Sequence, residues 1–150
     1  MVGVPDVQAG IHGVEMQRGL AEARWAKVRG REQEDGEWQM AVIMMARALC
    51  DQGRYREAET KQREVLAAQQ RKLGADHPDT LVTAGDLATT LAYQGKHAEA
   101  EKIEREVLVA EQRKLGADHP NTLTTAGNLA STLAAQGKHA EADKMERSAR

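Results

Sequence analysis

At 150 residues the chain can hold one domain with a real core and is too short to lead one to expect two. A formal charge of −2 and a pI near 6.2 exclude the clustered basic excess that nucleic acid demands, and the single cysteine, Cys50, excludes an internal disulfide. No run approaches the roughly 20 apolar residues of a membrane helix, so a soluble chain without membrane contact, in the reducing cytoplasm, is the expectation.

From the amino end, MVGVPDVQAGIHG (1–13) lacks the basic start and apolar core of a signal peptide and reads as a tail. Residues 14–29, VEMQRGLAEARWAKVR, read as a worn helix that docks as an N-terminal cap, with Leu20 and Trp25 as core contacts. GREQEDGE (30–37) reads as a linker. Residues 1–37 thus form a tail and capping helix ahead of a repeat region over 38–150.

The repeat region declares itself by near-copying. LGADHPDTLVTAGDLATTLAYQGKHAEAE begins at Leu73 and LGADHPNTLTTAGNLASTLAAQGKHAEAD at Leu115, 42 residues later. Between 73–108 and 115–150, 26 of 36 positions are identical, and between 45–72 and 87–114, 15 of 28. Three units follow, at about 36–77, 78–119 and 120–150, the last one truncated. A fixed period of this size signals a stacked array.

Each unit reads as two helices. Pro78 and Pro120 suit a first helical position, where the missing N–H costs nothing, and His77 and His119 are pushed into extended geometry just outside. Leu81, Ala84, Leu87, Ala88, Leu91 and Ala92 recur at three- and four-residue steps as one apolar stripe. Gln94-Gly95 closes that helix, and the next turns Ala100, Ile103, Val107 and Leu108 inward before ending at Arg113-Lys114-Leu115-Gly116. No strand-like alternation occurs. The expected fold is all-α, built of antiparallel helix pairs that must stack because one pair cannot bury both stripes.

Leu87-Ala88, Leu91, Gly95, His97 and Ala100 resemble the large-small, large, glycine, aromatic-like and small sequence of the tetratricopeptide repeat. Met45-Ala46, Leu49, Gly53, Tyr55, Ala58 and Leu129-Ala130, Leu133, Gly137, His139, Ala142 repeat it. The 42-residue period and the LG-x-DHP-x-T linker resemble the kinesin light chain-like class. That resemblance implies a right-handed α-solenoid whose first helices line a concave groove. The groove-facing positions it implies are Val82, Gly85, Asp86, Thr89 and Tyr93, with Thr124, Gly127, Asn128, Ser131 and Ala135 next, and Met40, Ile43, Met44, Arg47 and Asp51 before them. Asn128 falls where relatives carry an asparagine on a peptide backbone, and Asp86 at the matching site can only accept hydrogen bonds. Asp86, Thr89, Tyr93, Thr124, Asn128, Ser131 and Arg47 are therefore the candidate binding residues. The large aromatic that relatives place in the second helix is Gln62, Glu104 and Glu146 here, which predicts more polar packing.

Other constellations dissolve on inspection. The five histidines come from repetition and lack zinc-ligand spacing, so neither metal nor cofactor is expected. Gly95-Lys96-His97 lacks the glycine and hydroxyl residue of a phosphate loop. Cys50 aligns with Ala92 and Ala134 as a small side chain. Glu99, Glu101, Glu104 and Glu106, interleaved with Lys102 and Arg105, read as an exposed ion-paired face rather than an acid–base pair. No catalytic residue is expected. The chain reads as an interaction module for a protein or peptide partner. The alternative is a self-associating structural fragment of a longer array, forming homo-oligomers through the uncapped C-terminal helix pair, with no peptide ligand of its own.

Overall fold

Proline, histidine and glycine punctuate the chain into helices. The computed structural model describes residues 17–25 and 36–148. Among these residues there is no strand, and the helices are α1 (17–25), α2 (Gly36–Asp51), α3 (Tyr55–Lys72), α4 (Pro78–Tyr93), α5 (His97–Lys114), α6 (Pro120–Ala135) and α7 (His139–Ser148). Pro78 and Pro120 open α4 and α6, and the histidines before them are the N-caps, held extended at ψ 139°. Each imidazole Nδ1 accepts the N–H of the second helical residue, Asp79 and Asn121 respectively, at 3.1 Å. A histidine thus does the work more often given to serine or aspartate.

The close of α4 is a Schellman turn. Gly95 takes φ +81°, a left-handed conformation open to glycine, so that its N–H reaches Ala92 O at 3.0 Å and the N–H of Lys96 reaches Leu91 O at 2.9 Å. The chain then reverses at once into α5. The same device recurs at Gly137 between α6 and α7.

The chain divides into two compact units after Ala68. In the first, Trp38, Ala41 and Val42 of α2 pack on Val65 and Ala68 of α3, and Met45, Ala48 and Leu49 pack on Ala58 of α3 and Ala21 of α1. Trp25 is half-buried with its ring centroid 6.4 Å from that of Trp38, and Lys61 Nζ stands 4.4 Å from the Trp25 centroid. Leu20, expected in the core, is 59% exposed; Ala21, one position on, takes the inward side of the helix instead. Gly36 and Glu37, read as linker, begin α2. The expected tail over 1–13 and the expected linker over 30–35 lie outside the described residues.

In the second unit α4 packs on α5, α5 on α6 and α6 on α7, and α4 also meets α6. Leu81 meets Val107 and Ala110, while Leu108 joins Ala126, Leu129, Ala130, Leu133 and Ala142. Each fully buried leucine here, such as Leu91 or Leu133, contributes about 2–3 kcal/mol of apolar burial. The stripes read from the sequence are the ones the helices bury.

Candidate functional site

The contact between α4 and α6 places two first helices side by side with α5 beneath them, and a groove opens along their line. It comprises two adjoining clefts of about 180 and 330 Å³ that share Thr89 and Asn128. Asp86, Thr89 and Tyr93 come from the α4 wall, and Thr124, Asn128 and Ser131 from the α6 wall. Six of the seven candidate residues therefore converge. Arg47, exposed on α2 in the first unit, lines neither cleft.

What the sequence reading missed is the floor. Glu104 and Glu111, on α5, are 3% and 5% exposed and line the two clefts from below. Glu104 does not lie on the exposed charged face that its neighbours in sequence suggest. It instead continues the stripe of Ala100, Val107 and Leu108, because steps of three and four return to the same side of a helix. The sequence signal was the aligned position itself: a place where relatives put a large aromatic points inward. Glu99 and Glu106 are exposed as expected, and Glu146 is exposed as well.

Each floor carboxylate has one partner from α6. Thr132 Oγ1 donates to Glu104 Oε1 at 3.1 Å, and Thr125 Oγ1 donates to Glu111 Oε1 at 2.7 Å. The second oxygen of each, Oε2, is buried without a hydrogen bond, as is Nδ1 of His97, which lines the same cleft as Glu104. Burial raises the Glu104 carboxyl to about 6 against the pull of the Thr132 hydroxyl, with the nearby charge of Glu101 adding to the rise. Glu111 is raised by burial too, opposed by Thr125 and His119.

The wall hydroxyls are committed elsewhere. Thr89, Thr124 and Ser131 donate to the carbonyls of Gly85, Pro120 and Gly127, four residues back, at 3.1, 2.9 and 3.2 Å. They offer the groove their lone pairs rather than their protons. Among the described residues no lysine or arginine lines either cleft. The groove is thus rich in acceptors and poor in cations.

Around the turn before α7 lies an ionic cluster of another kind. Glu101 accepts from Lys138 Nζ at 2.9 Å, from Gln136 Nε2 at 2.8 Å and from Arg105 Nε at 2.8 Å, while Arg105 also reaches Glu141 at 2.8 Å. Lys138 first, then Arg105 and Gln136, hold the Glu101 carboxyl down at about 2. Among the described residues no three His, Cys, Asp or Glu side chains gather as a metal site, and no helix is long and apolar enough to cross a membrane.

Stacked helix pairs joined by glycine turns at a 42-residue period define a repeat protein, and the comparisons agree. Models of the tetratricopeptide repeat match residues 39–110 and 122–150, so the chain belongs to the tetratricopeptide-repeat family. Its fold is that of TPR-like solenoids. The nearly identical TPR-like repeats assigned to a kinesin light chain of Podosopora anserina superpose with a TM-score of 0.79 at 24% identity, over 96% of this chain and 67% of that one. A Q17M form of the same repeats gives 0.80 at 24%, over 96% and 66%. BtubC (BKLC) of P. vanneervenii gives 0.74 at 16%, over 94% and 54%. The chain therefore spans about two thirds of the first two structures and about half of the third. No curated protein matches it in sequence.

Proposed function

We propose that this chain is a protein-interaction module that holds an extended peptide segment in the groove between α4 and α6. The observation that carries the reading is the convergence of Asp86, Thr89 and Tyr93 with Thr124, Asn128 and Ser131 over two clefts that meet at Thr89 and Asn128. One cleft falls below and the other at the bottom of the roughly 300–1,000 Å³ range of small-molecule pockets, a scale that suits successive side chains of a strand-like ligand better than a cofactor. The Asn128 amide, exposed at the junction, can donate to a peptide carbonyl and accept from a peptide N–H whatever the ligand's sequence. Large apolar side chains exposed on the walls are limited to Val82 and Tyr93, so affinity is modest. The chain acts as a scaffold rather than a catalyst, and we place it in the cytoplasm.

Display selection of random peptides on the chain tests this, with Asn128→Arg as the blocked control and a helical melting curve to show that the control is folded. Peptides enriched on the parent and lost on Asn128→Arg support the groove. Enrichment that survives the arginine sinks it. A concentration-dependent dimer by sedimentation, with no peptide enriched, transfers the function to self-assembly.

A further inference from the structure

Three sets of groups in the groove point the same way. Below it lie two carboxylates, Glu104 and Glu111, each with Oε2 buried and unpartnered. On its walls, hydroxyls whose protons are spent on their own helices leave only lone pairs outward. On α4, half-buried Asp86 adds a third acceptor that cannot donate, and Tyr93, 69% exposed, presents an aromatic face at the second cleft. No lysine or arginine among the described lining residues answers Glu104 or Glu111, and α6 contributes only amide, hydroxyl and small side chains to the groove. A ligand that supplies N–H donors and positive charge satisfies all three sets. One that brings a carboxylate or a phosphate meets like charge over a poorly solvated floor.

We propose that the groove selects basic peptide segments, with lysine or arginine side chains standing above Glu104 and Glu111. The proposal rests on the peptide-groove reading and names the chemistry of its partner. It also fixes a spacing. Seven residues separate the two glutamates on α5, roughly 10 Å at 1.5 Å per residue. A polyproline-type chain, at roughly 3.1 Å per residue and three residues per turn, brings side chains i and i+3 to one face over roughly 9 Å. Two cations three residues apart match the floor. The Tyr93 ring is placed to take the aliphatic stem or the charge of the one nearer Glu104.

Binding is linked to protons. A cation above Glu104 favours its ionised form, so the complex forms with proton release between the ordinary glutamate range and the raised value of the free chain. The charge that acts on this carboxylate is that of Glu101 on the same helix, which opposes ionisation; His97 of α5 and Tyr93 of α4 share its cleft, Asp86 of α4 lines the adjoining one, and α6 brings Thr132 and no charge. Affinity for a basic peptide therefore rises from pH 5 to pH 7.

The test is a random dodecapeptide display library selected on the full chain and on the Glu104→Gln/Glu111→Gln double variant, which keeps the shape of both side chains. The result expected is enrichment of lysine and arginine, most often three residues apart, on the parent. Synthetic versions of those peptides should lose at least about tenfold in affinity on the double variant and on raising salt. Enrichment of neutral or acidic peptides that Asn128→Arg abolishes would overturn the basic specificity and leave the groove standing. Basic peptides that bind the double variant as well as the parent would also overturn it. No enrichment on either chain would overturn the groove reading and this one with it.

Discussion

The helices α3 and α5 are the same structural sentence written with different chemistry. Both run 18 residues, and both bury an alanine, Ala58 or Ala100, and a valine, Val65 or Val107, at matching places. They differ where the relatives' aromatic would be and two turns beyond it: α3 carries Gln62 and Gln69, α5 carries Glu104 and Glu111, all four buried. An amide buries a dipole; a carboxylate buries a charge, which raises its pKa while a close donor opposes the rise. The α5 glutamates have such donors in Thr125 and Thr132. The difference shows that polarity at these positions belongs to the packing of the repeat, while a buried ionisable group at them, among the described residues, occurs in the second repeat under the groove, the aligned Glu146 being exposed.

The comparison breaks most severely through what the two helices share. Val65→Ala and Val107→Ala should each cost about 2–3 kcal/mol, two methyl groups plus the cavity they leave. Urea denaturation checks this. Costs that differ by more than about 1.5 kcal/mol would mean that the two helices are not equivalent frames.

It sharpens next at Glu104. Holding its carboxyl at about 6 rather than 4.5 carries a cost that begins to grow at pH 4.5 and reaches about 2 kcal/mol above both values. The sign follows from the raised value: below pH 4.5 both states are protonated and nothing is lost, and stability declines as pH climbs through 6. Glu104→Gln should therefore leave stability unchanged near pH 4 and raise it by about 1–2 kcal/mol at pH 7.5. Gln62→Glu should show the mirror image, a loss that appears only above pH 5. Chemical denaturation at the two pH values settles both, and a pH-independent effect of either would contradict the charge argument.

The frame was legible and the floor was not, for a physical reason. Helix ends are written locally, in the prolines that open α4 and α6 and the glycines that close them, and the apolar stripes are written at helical period. Groove walls follow once the first helices are known, and six candidate residues fell there together. Glu104 has two readings in sequence. Its neighbours Glu101 and Arg105 form an i,i+4 pair at 2.8 Å, the signature of a solvated face, and only its phase with Ala100 and Val107 says otherwise. The donor that makes its burial tolerable, Thr132, is 28 residues away, and local pattern does not reveal it. Repeat position carries a residue such as Arg47 to a helix face, and does not by itself say which clefts it lines. Leu20 failed because α1 turns its small residue, Ala21, inward.

Donor removal gives a smaller effect. Thr132→Val strips Glu104 of its one hydrogen bond and should cost about 1.5–2 kcal/mol at pH 7 while pushing the carboxyl higher still. Its repeat counterpart Thr90 donates to the carbonyl of Asp86 at 3.1 Å within its own helix, a bond whose loss in Thr90→Val costs about 0.5–1 kcal/mol. Equal costs at the two sites would say that the Glu104 contact stabilises no more than an ordinary back-bond.

The smallest effect lies on the surface, where α3 and α5 again look alike: Arg63 pairs with Glu59 as Arg105 pairs with Glu101, each at 2.8 Å. Glu101 also receives Lys138 and Gln136, which tie the start of α5 to the turn before α7. Lys138→Met should cost under about 1 kcal/mol at neutral pH, because solvent and salt screen the pair. The Glu101 carboxyl is held down at about 2, so this contribution is complete above pH 4.5 and fades as pH falls toward 2, opposite in sense to that of Glu104. Thermal melts of parent and variant should therefore converge at pH 2 and separate by pH 5. A gap that persists at pH 2 would assign the Lys138 effect to its aliphatic stem rather than to its charge.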